Sequence, residues 1–269
     1  MWQVYQRVNV SPYSDYVMVR HAGLRFNESD QSWFFVSREG RQKIDIETYN
    51  KVLEWSSAIL SIRNNREGQL YDGSAFHIGR GYFLTAFHSF TPHDRTNTTT
   101  CNGANFYHAQ SRQNFNCDEV IHCEVRADFC LLKLKERGSF LFGNRNLIKA
   151  SELPAFKLAN DIQQSETELY HALGNADGRG VHHSSGLGLT FVTNSANWPK
   201  YFNLFNALVA GGYSGGPLLN WKGEVVGVIV KRLTSLHRER IQGVSLNIQY
   251  VRERLLEKLP EDHELRKKL

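Results

Sequence analysis

The chain has 269 residues, 41% hydrophobic and 22% charged, and a chain of this length buries about three quarters of its extended surface, in one large core or two modest ones, which excludes disorder and fibrous architecture. Its 32 Lys and Arg against 27 Asp and Glu leave a formal net charge of +5, basic but not gathered into a tail, so no nucleic acid partner is indicated. The first twenty residues or so hold no apolar run behind a basic start, and no stretch approaches the ~18 apolar residues that span a bilayer. A chain with no membrane span and no visible signal peptide is expected, the cytoplasm slightly favoured over a periplasmic or secreted location.

Residues 1–69 read as an N-terminal extension in which DYVMVRH and SWFFVS alternate like strands. Tyr49, Val52, Leu53, Trp55, Ile59 and Leu60 then recur near helical spacing and predict a helix over 44–62. From residue 70 short apolar runs follow one another, among them SAFHIG, YFLTAFH, DFCLLKLK, GLGLTFVT, EVVGVIV and QGVSLNI, separated by Gly, Asn, Asp and Ser clusters. That texture is all-β. Two units fit it better than one sandwich, 70–150 and 151–250, closed by a helix and tail over 251–269 that stops at or before Pro260.

The four cysteines lack a CxxC half-site, so a structural zinc site is a weak reading. Cys101 and Cys117 flank a polar segment and can pair in an oxidising compartment, unpaired thiols being the alternative. Cys130, inside ADFCLLKL, reads as a small core hydrophobe.

The strongest chemical signal is GGYSGGP, Gly211 to Pro217, between apolar FNALVA and PLLN. A serine nucleophile must project from a tight turn whose neighbouring N–H groups converge on a developing oxyanion, and bulky side chains would block that approach. The candidate donors are the backbone N–H groups of Gly212 and Ser214; an ordinary glycine-rich hairpin is the bland alternative. A hydroxyl at its usual pKa is a poor nucleophile and needs a base, which needs an orienter. His88 ends the strand-like run YFLTAFH, where a side chain can enter a cleft. Asp128 opens the apolar run DFCLLKL, where a carboxylate is costly to bury unless an imidazole N–H satisfies it.

Taken together, LTAFH, DFCLLKL and GGYSGGPLLN resemble the histidine, aspartate and serine motifs of the chymotrypsin-like (trypsin-like) serine peptidase family, in the family order. GSAFHIG resembles the strand before the histidine strand, and GEVVGVIV the strand lining the substrate cleft. YHALGNADGRG and GVSLNIQYVRERLLEKL are closer to bacterial HtrA/DegP-like protease domains, without a PDZ domain. The resemblance implies two six-stranded antiparallel β-barrels, the first (70–150) carrying His88 and Asp128 and the second (151–250) carrying Ser214. It also implies a serine endopeptidase working through a Ser-His-Asp triad and an acyl-enzyme, with no metal or organic cofactor required. Tyr213 stands where digestive members carry an aspartate that pairs with a newly made N-terminus, so activation by that cleavage is not expected. Ser89 stands where secreted animal relatives have cysteine, and Phe87 is bulkier than the common alanine.

The expected partner is a protein or peptide in extended conformation. In the family the residue six positions before the nucleophile lies at the base of the first specificity pocket, here Leu208, which cannot neutralise Lys or Arg and favours a small or medium aliphatic residue before the scissile bond. Val230, Lys231 and Arg232 follow the Gly227 strand and are candidates for main-chain bonding to substrate. His182 and His183 read as packing or surface residues rather than metal ligands. The alternative from another class is a non-catalytic peptide- or protein-binding module on the same fold.

Overall fold

The computed structural model describes residues 24–27, 32–37, 40–44, 51, 54–66, 69–90, 100–101, 104–140, 147–160, 169–175, 181–189, 202–205, 207, 209–234 and 241–269. A small antiparallel meander comes first: β1 (Leu24–Asn27), β2 (Ser32–Ser37) and β3 (Gly40–Ile44), with Trp33 opposite Ile44 and Ser37 opposite Gly40.

The helix expected over 44–62 stops short. Helical backbone is described at Lys51 and Glu54–Ser56, and Ile59–Arg66 is instead strand β4, paired residue for residue with the next strand from Ile59↔Phe76 to Arg66↔Gln69. Long-range pairing wins here because Ile59, Leu60 and Ile62 are wanted in a sheet core, where they are fully buried. The first unit therefore begins about ten residues before residue 70.

That unit continues with β5 (Gln69–Gly79), β6 (Tyr82–Thr85), β7 (Asn105–His108), β8 (Gln113–Glu124), β9 (Phe129–Leu134) and β10 (Ser139–Phe140). The second unit comprises β11 (Leu169–Asn175), β12 (Val181–Leu189), β13 (Phe202–Phe205), β14 (Pro217–Leu219), β15 (Val225–Thr234) and β16 (Ile241–Asn247). The expectation of two six-stranded barrels is corrected. Only the second unit is a closed six-stranded barrel, in the order β11-β12-β13-β16-β15-β14, with β14 returning to β11. The first is a seven-stranded sheet, β10-β8-β7-β4-β5-β6-β9, left open at β10. Its curl comes from the twelve-residue β8, which pairs β7 and β10 near its start and β9 along the rest, with register shifts at Cys117/Glu119 and Val120/His122.

Alternation along the strands explains how the two units share a core. All four residues of β6 are buried because both faces are covered: Phe83 packs with Leu60, Phe106 and Phe115 inside the first unit. Tyr82 and Leu84 point the other way, into a continuous cluster that runs through Phe129 and Leu131 to Val228 and Leu246 of the barrel. The terminal helix begins at Ile248, three residues earlier than read, and runs to Lys258. Asn247 caps it by accepting from the Gln249 N–H, and Ile248, Val251 and Leu255 are fully buried against the barrel. Among the described residues no helix is long and apolar enough to cross a membrane.

Candidate active site

His88 sits in a single helical turn, α1 (Phe87–Phe90), entered directly from β6. Phe87 and Phe90 are buried and fix that turn, so the bulky Phe87 goes into the core instead of crowding the base, and His88 stays half exposed. Across from it, Asp128 closes the β8–β9 turn, its N–H donating to the Glu124 carbonyl at 2.9 Å. Its φ of 64° lies in the left-handed region, which Asp tolerates better than most side chains but not freely. The conformation aims the carboxylate at α1. Oδ2 lies 2.6 Å from His88 Nδ1, and Oδ1 accepts the backbone N–H of the same histidine at 2.9 Å. The Phe87 N–H donates to the Asp128 carbonyl, so strand end and turn are joined three times.

Ser214 emerges from two consecutive tight turns. Tyr213 N–H donates to the Ala210 carbonyl at 3.3 Å with Gly212 at φ 86°, the position at which a type II β-turn needs positive φ. Gly216 N–H then donates to Tyr213 O, with Gly215 also at φ 86°. Glycine at 215 is required sterically as well: a Cβ there would strike the Ser74 carbonyl and Thr85 Oγ1 and lie 2.7 Å from the Ala86 nitrogen. The loop is welded to β15 by Gly215 N–H to Ile229 O and Ile229 N–H to Gly216 O, at 2.6 and 2.8 Å. Toward the first unit, the Ser214 carbonyl accepts the Ser74 N–H at 2.8 Å and the Ser89 hydroxyl at 3.3 Å. Ser89 is the neighbour of His88, so the backbone of Ser214 is tied to the same turn that carries the histidine. Among the described residues the N–H groups of Gly212 and Ser214 donate to no protein acceptor. They are the pair that sequence reasoning placed at the oxyanion position.

The remaining expected site residues divide. Val230 is buried, Lys231 is exposed, and Arg232 shares strand β15 with them, opposite Gly243. Leu208 lies outside the described residues. His183 packs in the barrel with its Nε2 2.9 Å from His171 Nδ1, a buried pair. Burial holds the His171 imidazole down at about 4, hence neutral at physiological pH. No three His, Cys, Asp or Glu side chains among the described residues group to hold a metal. Of the two alternatives left open for Cys101 and Cys117 the disulfide is the one formed, and Cys130, read as a core hydrophobe, is buried but disulfide-bonded to Cys123, directly opposite it on β8. Four residues to which sequence reasoning gave no part in the site, Ser74, Thr85, Ser89 and Asn175, form the polar seam under the nucleophile. The one available signal was a serine beside glycine inside the otherwise apolar GSAFHIG.

A carboxylate holds an imidazole at the edge of a curled β-sheet, and the residue after that histidine is bonded to the backbone of a serine on a glycine-rich turn of an adjoining β-barrel. The chain matches the trypsin-like peptidase domain family over residues 73–228, more than half its length, and belongs to that family. It is a trypsin-like serine endopeptidase of HtrA-related fold. Among solved structures, it is similar to the serine endoprotease from Yersinia pestis at TM-score 0.59 and 19% identity, covering 81% of this chain and 68% of that one. It is similar also to the HtrA-type protease AlgW, solved with a tripeptide, at TM-score 0.58 and 19% identity, covering 77% of this chain and 61% of the other. No curated protein matches it in sequence.

Proposed function

We propose that Ser214 is the nucleophile, His88 its general base and then general acid, and Asp128 the group that fixes the imidazole tautomer and stabilises its charged form. The Gly212 and Ser214 N–H groups take the oxyanion of the tetrahedral intermediate, and water repeats the sequence to release the acyl group. The observation that carries this reading is the double contact of Asp128 with His88, with the Ser214 backbone held to the neighbouring Ser89.

The substrate is an extended protein or peptide segment. β14 ends its pairing with β15 at Val228, whereas β15 continues to Thr234 against β16, so the stretch Val230–Arg232 carries backbone past the nucleophile loop along which an extended chain can lie. Val230 offers its backbone rather than its buried side chain. Leu208 gives the preference for a small or medium aliphatic residue before the scissile bond. Both cysteine pairs are disulfides, a state that an oxidising compartment maintains, which favours an exported site of action over the cytoplasm.

The test is digestion of a diverse peptide library by the wild-type protein and by Ser214→Ala, with product mass spectrometry. Discrete cuts after aliphatic residues by the wild type alone are expected. Cleavage retained by Ser214→Ala removes the assignment of the nucleophile; cuts after Lys or Arg remove the aliphatic preference. Peptide binding by both proteins without cleavage by either turns the reading to a binding module.

A further inference from the structure

We propose that Ser74 is a positioning residue for the oxyanion turn: its hydroxyl, supplied from the first unit, holds the peptide plane beside Gly212 in the catalytically competent orientation. The proposal rests on the assignment of Ser214 and the Gly212 N–H above.

Ser74 lies on β5, is fully buried, and has every polar atom engaged. Its Oγ donates to the Gly212 carbonyl at 2.7 Å. That assignment of the single hydroxyl proton is forced, because the same oxygen accepts the Asn175 N–H, also at 2.7 Å. Its own N–H donates to the Ser214 carbonyl, and its carbonyl accepts the Thr85 hydroxyl at 2.7 Å. One residue of the curled sheet thus makes three hydrogen bonds to the barrel and one back to the strand that leads into His88.

The consequence is local to the nucleophile turn. Three peptide planes follow Gly212 up to Gly215. Ser74 pins the first through Gly212 O and the third through Ser214 O, and Gly216 N–H pins the middle one through Tyr213 O. With those planes fixed, the positive φ of Gly212 decides where its N–H points. Take away the hydroxyl and the Gly212 carbonyl is buried without its donor, a cost that the turn can relieve by rotating the Gly212–Tyr213 plane; the preceding Gly211–Gly212 plane, which carries the Gly212 N–H, then turns in compensation about the glycine Cα and leaves the oxyanion. Ground-state binding along β15 is untouched by such a rotation. The loss falls on the transition state.

Ser74→Ala and Ser74→Thr are compared with wild type and Ser214→Ala, each assayed below its own melting midpoint, on the best-cleaved library peptide and on the peptide aldehyde of the same sequence. Removing an oxyanion donor outright costs about 10²- to 10³-fold in kcat, and a donor left in place but misaimed costs less, on the order of 10- to 100-fold. Ser74→Ala is expected to lose that factor in kcat with KM within about threefold, to lose aldehyde affinity by the same factor, and Ser74→Thr to recover most of both. If Ser74→Ala does not fold, a folded Ser74→Thr without turnover overturns the proposal, as does Ser74→Ala with kcat and aldehyde affinity within twofold of wild type. A KM rise at unchanged kcat overturns it equally. Residual turnover by Ser214→Ala strikes at the site assignment itself, which separates the two failures.

Discussion

Asp128 grips His88 at two atoms, its Oδ2 at the Nδ1 of the ring and its Oδ1 at the backbone N–H of the same residue. The second contact fixes the carboxylate plane, and because an ionised carboxylate only accepts, the first is made with the ring proton on Nδ1, which leaves Nε2 as the acceptor that the proposed mechanism requires. Asp128→Asn can still accept the backbone N–H through its one oxygen, but its NH2 then faces the ring as a donor and selects the other tautomer. We expect kcat to fall about 10³- to 10⁴-fold with KM little changed and with folding retained. Steady-state kinetics beside a thermal melt measures it. A loss below tenfold would remove Asp128 from the triad.

Gly215 is held to glycine by backbone and space together, with φ at 86° and the Ser74 and Thr85 oxygens where a methyl would stand. Gly215→Ala must push β5 away from the nucleophile turn, costing about 3 kcal/mol or more. Urea unfolding should show a lower midpoint at unchanged slope, and labelling of Ser214 by a fluorophosphonate should be lost. Near-wild-type stability would mean that the seam has slack.

What was legible in the sequence follows from how local each requirement is. His88, Asp128 and Ser214 were readable because each sits in a short segment whose own residues build its turn: buried Phe87 and Phe90, the apolar β9, and the glycines of Gly211 to Gly216. Ser74 and Asn175 were not, since their roles exist only where β5 meets β11 and the nucleophile loop, and no periodicity within SAFHIG announces a partner 138 residues away. The stretch 44–62 failed for a related reason. Its apolar spacing suits a helix, but from Ile59 onward the backbone is claimed by β5, and Trp55 is used instead to cover Gly223, where its ring occupies the space of a Cβ. The open edge at β10 likewise depends on which partners a single long strand, β8, takes along its length.

Acid should unfold the protein through its buried neutral histidines. His108 is held down at about 4 by burial, with its Nε2 on the Ser57 carbonyl, and His171 to about the same value by burial beside His183. Burial lowers His77 too. Each of these is a base whose folded pKa lies below its unfolded value of 6.5, so the unfolded chain binds the proton first. The stabilisation from His108 and His171 is full above pH 6.5 and drains as pH falls towards 4, by up to about 1.4 kcal/mol per pH unit for each of the two, and His77 acts in the same direction. Urea midpoints between pH 7 and 4 should fall with that slope, and His108→Gln should flatten it. An unchanged slope in that variant would show that other groups carry the acid sensitivity.

The two disulfides should separate stability from activity. Cys101–Cys117 closes the longer loop, sixteen residues apart, and encloses none of the triad; Cys123–Cys130 spans seven and has Asp128 inside it. Loop-closure entropy gives about 3 kcal/mol for the first and about 2 for the second. The order reverses for catalysis, because the Cys123–Cys130 bond staples β8 to β9 at the base of the turn that holds Asp128 at its left-handed φ. Cys101→Ala/Cys117→Ala should therefore lower the melting temperature more and kcat less, and Cys123→Ala/Cys130→Ala should lower kcat more and the melting temperature less. Both pairs of variants are measured by calorimetry and by turnover at a temperature where each is folded. If kcat merely follows the loss of stability in both, the second disulfide has no hold on Asp128 beyond general tethering.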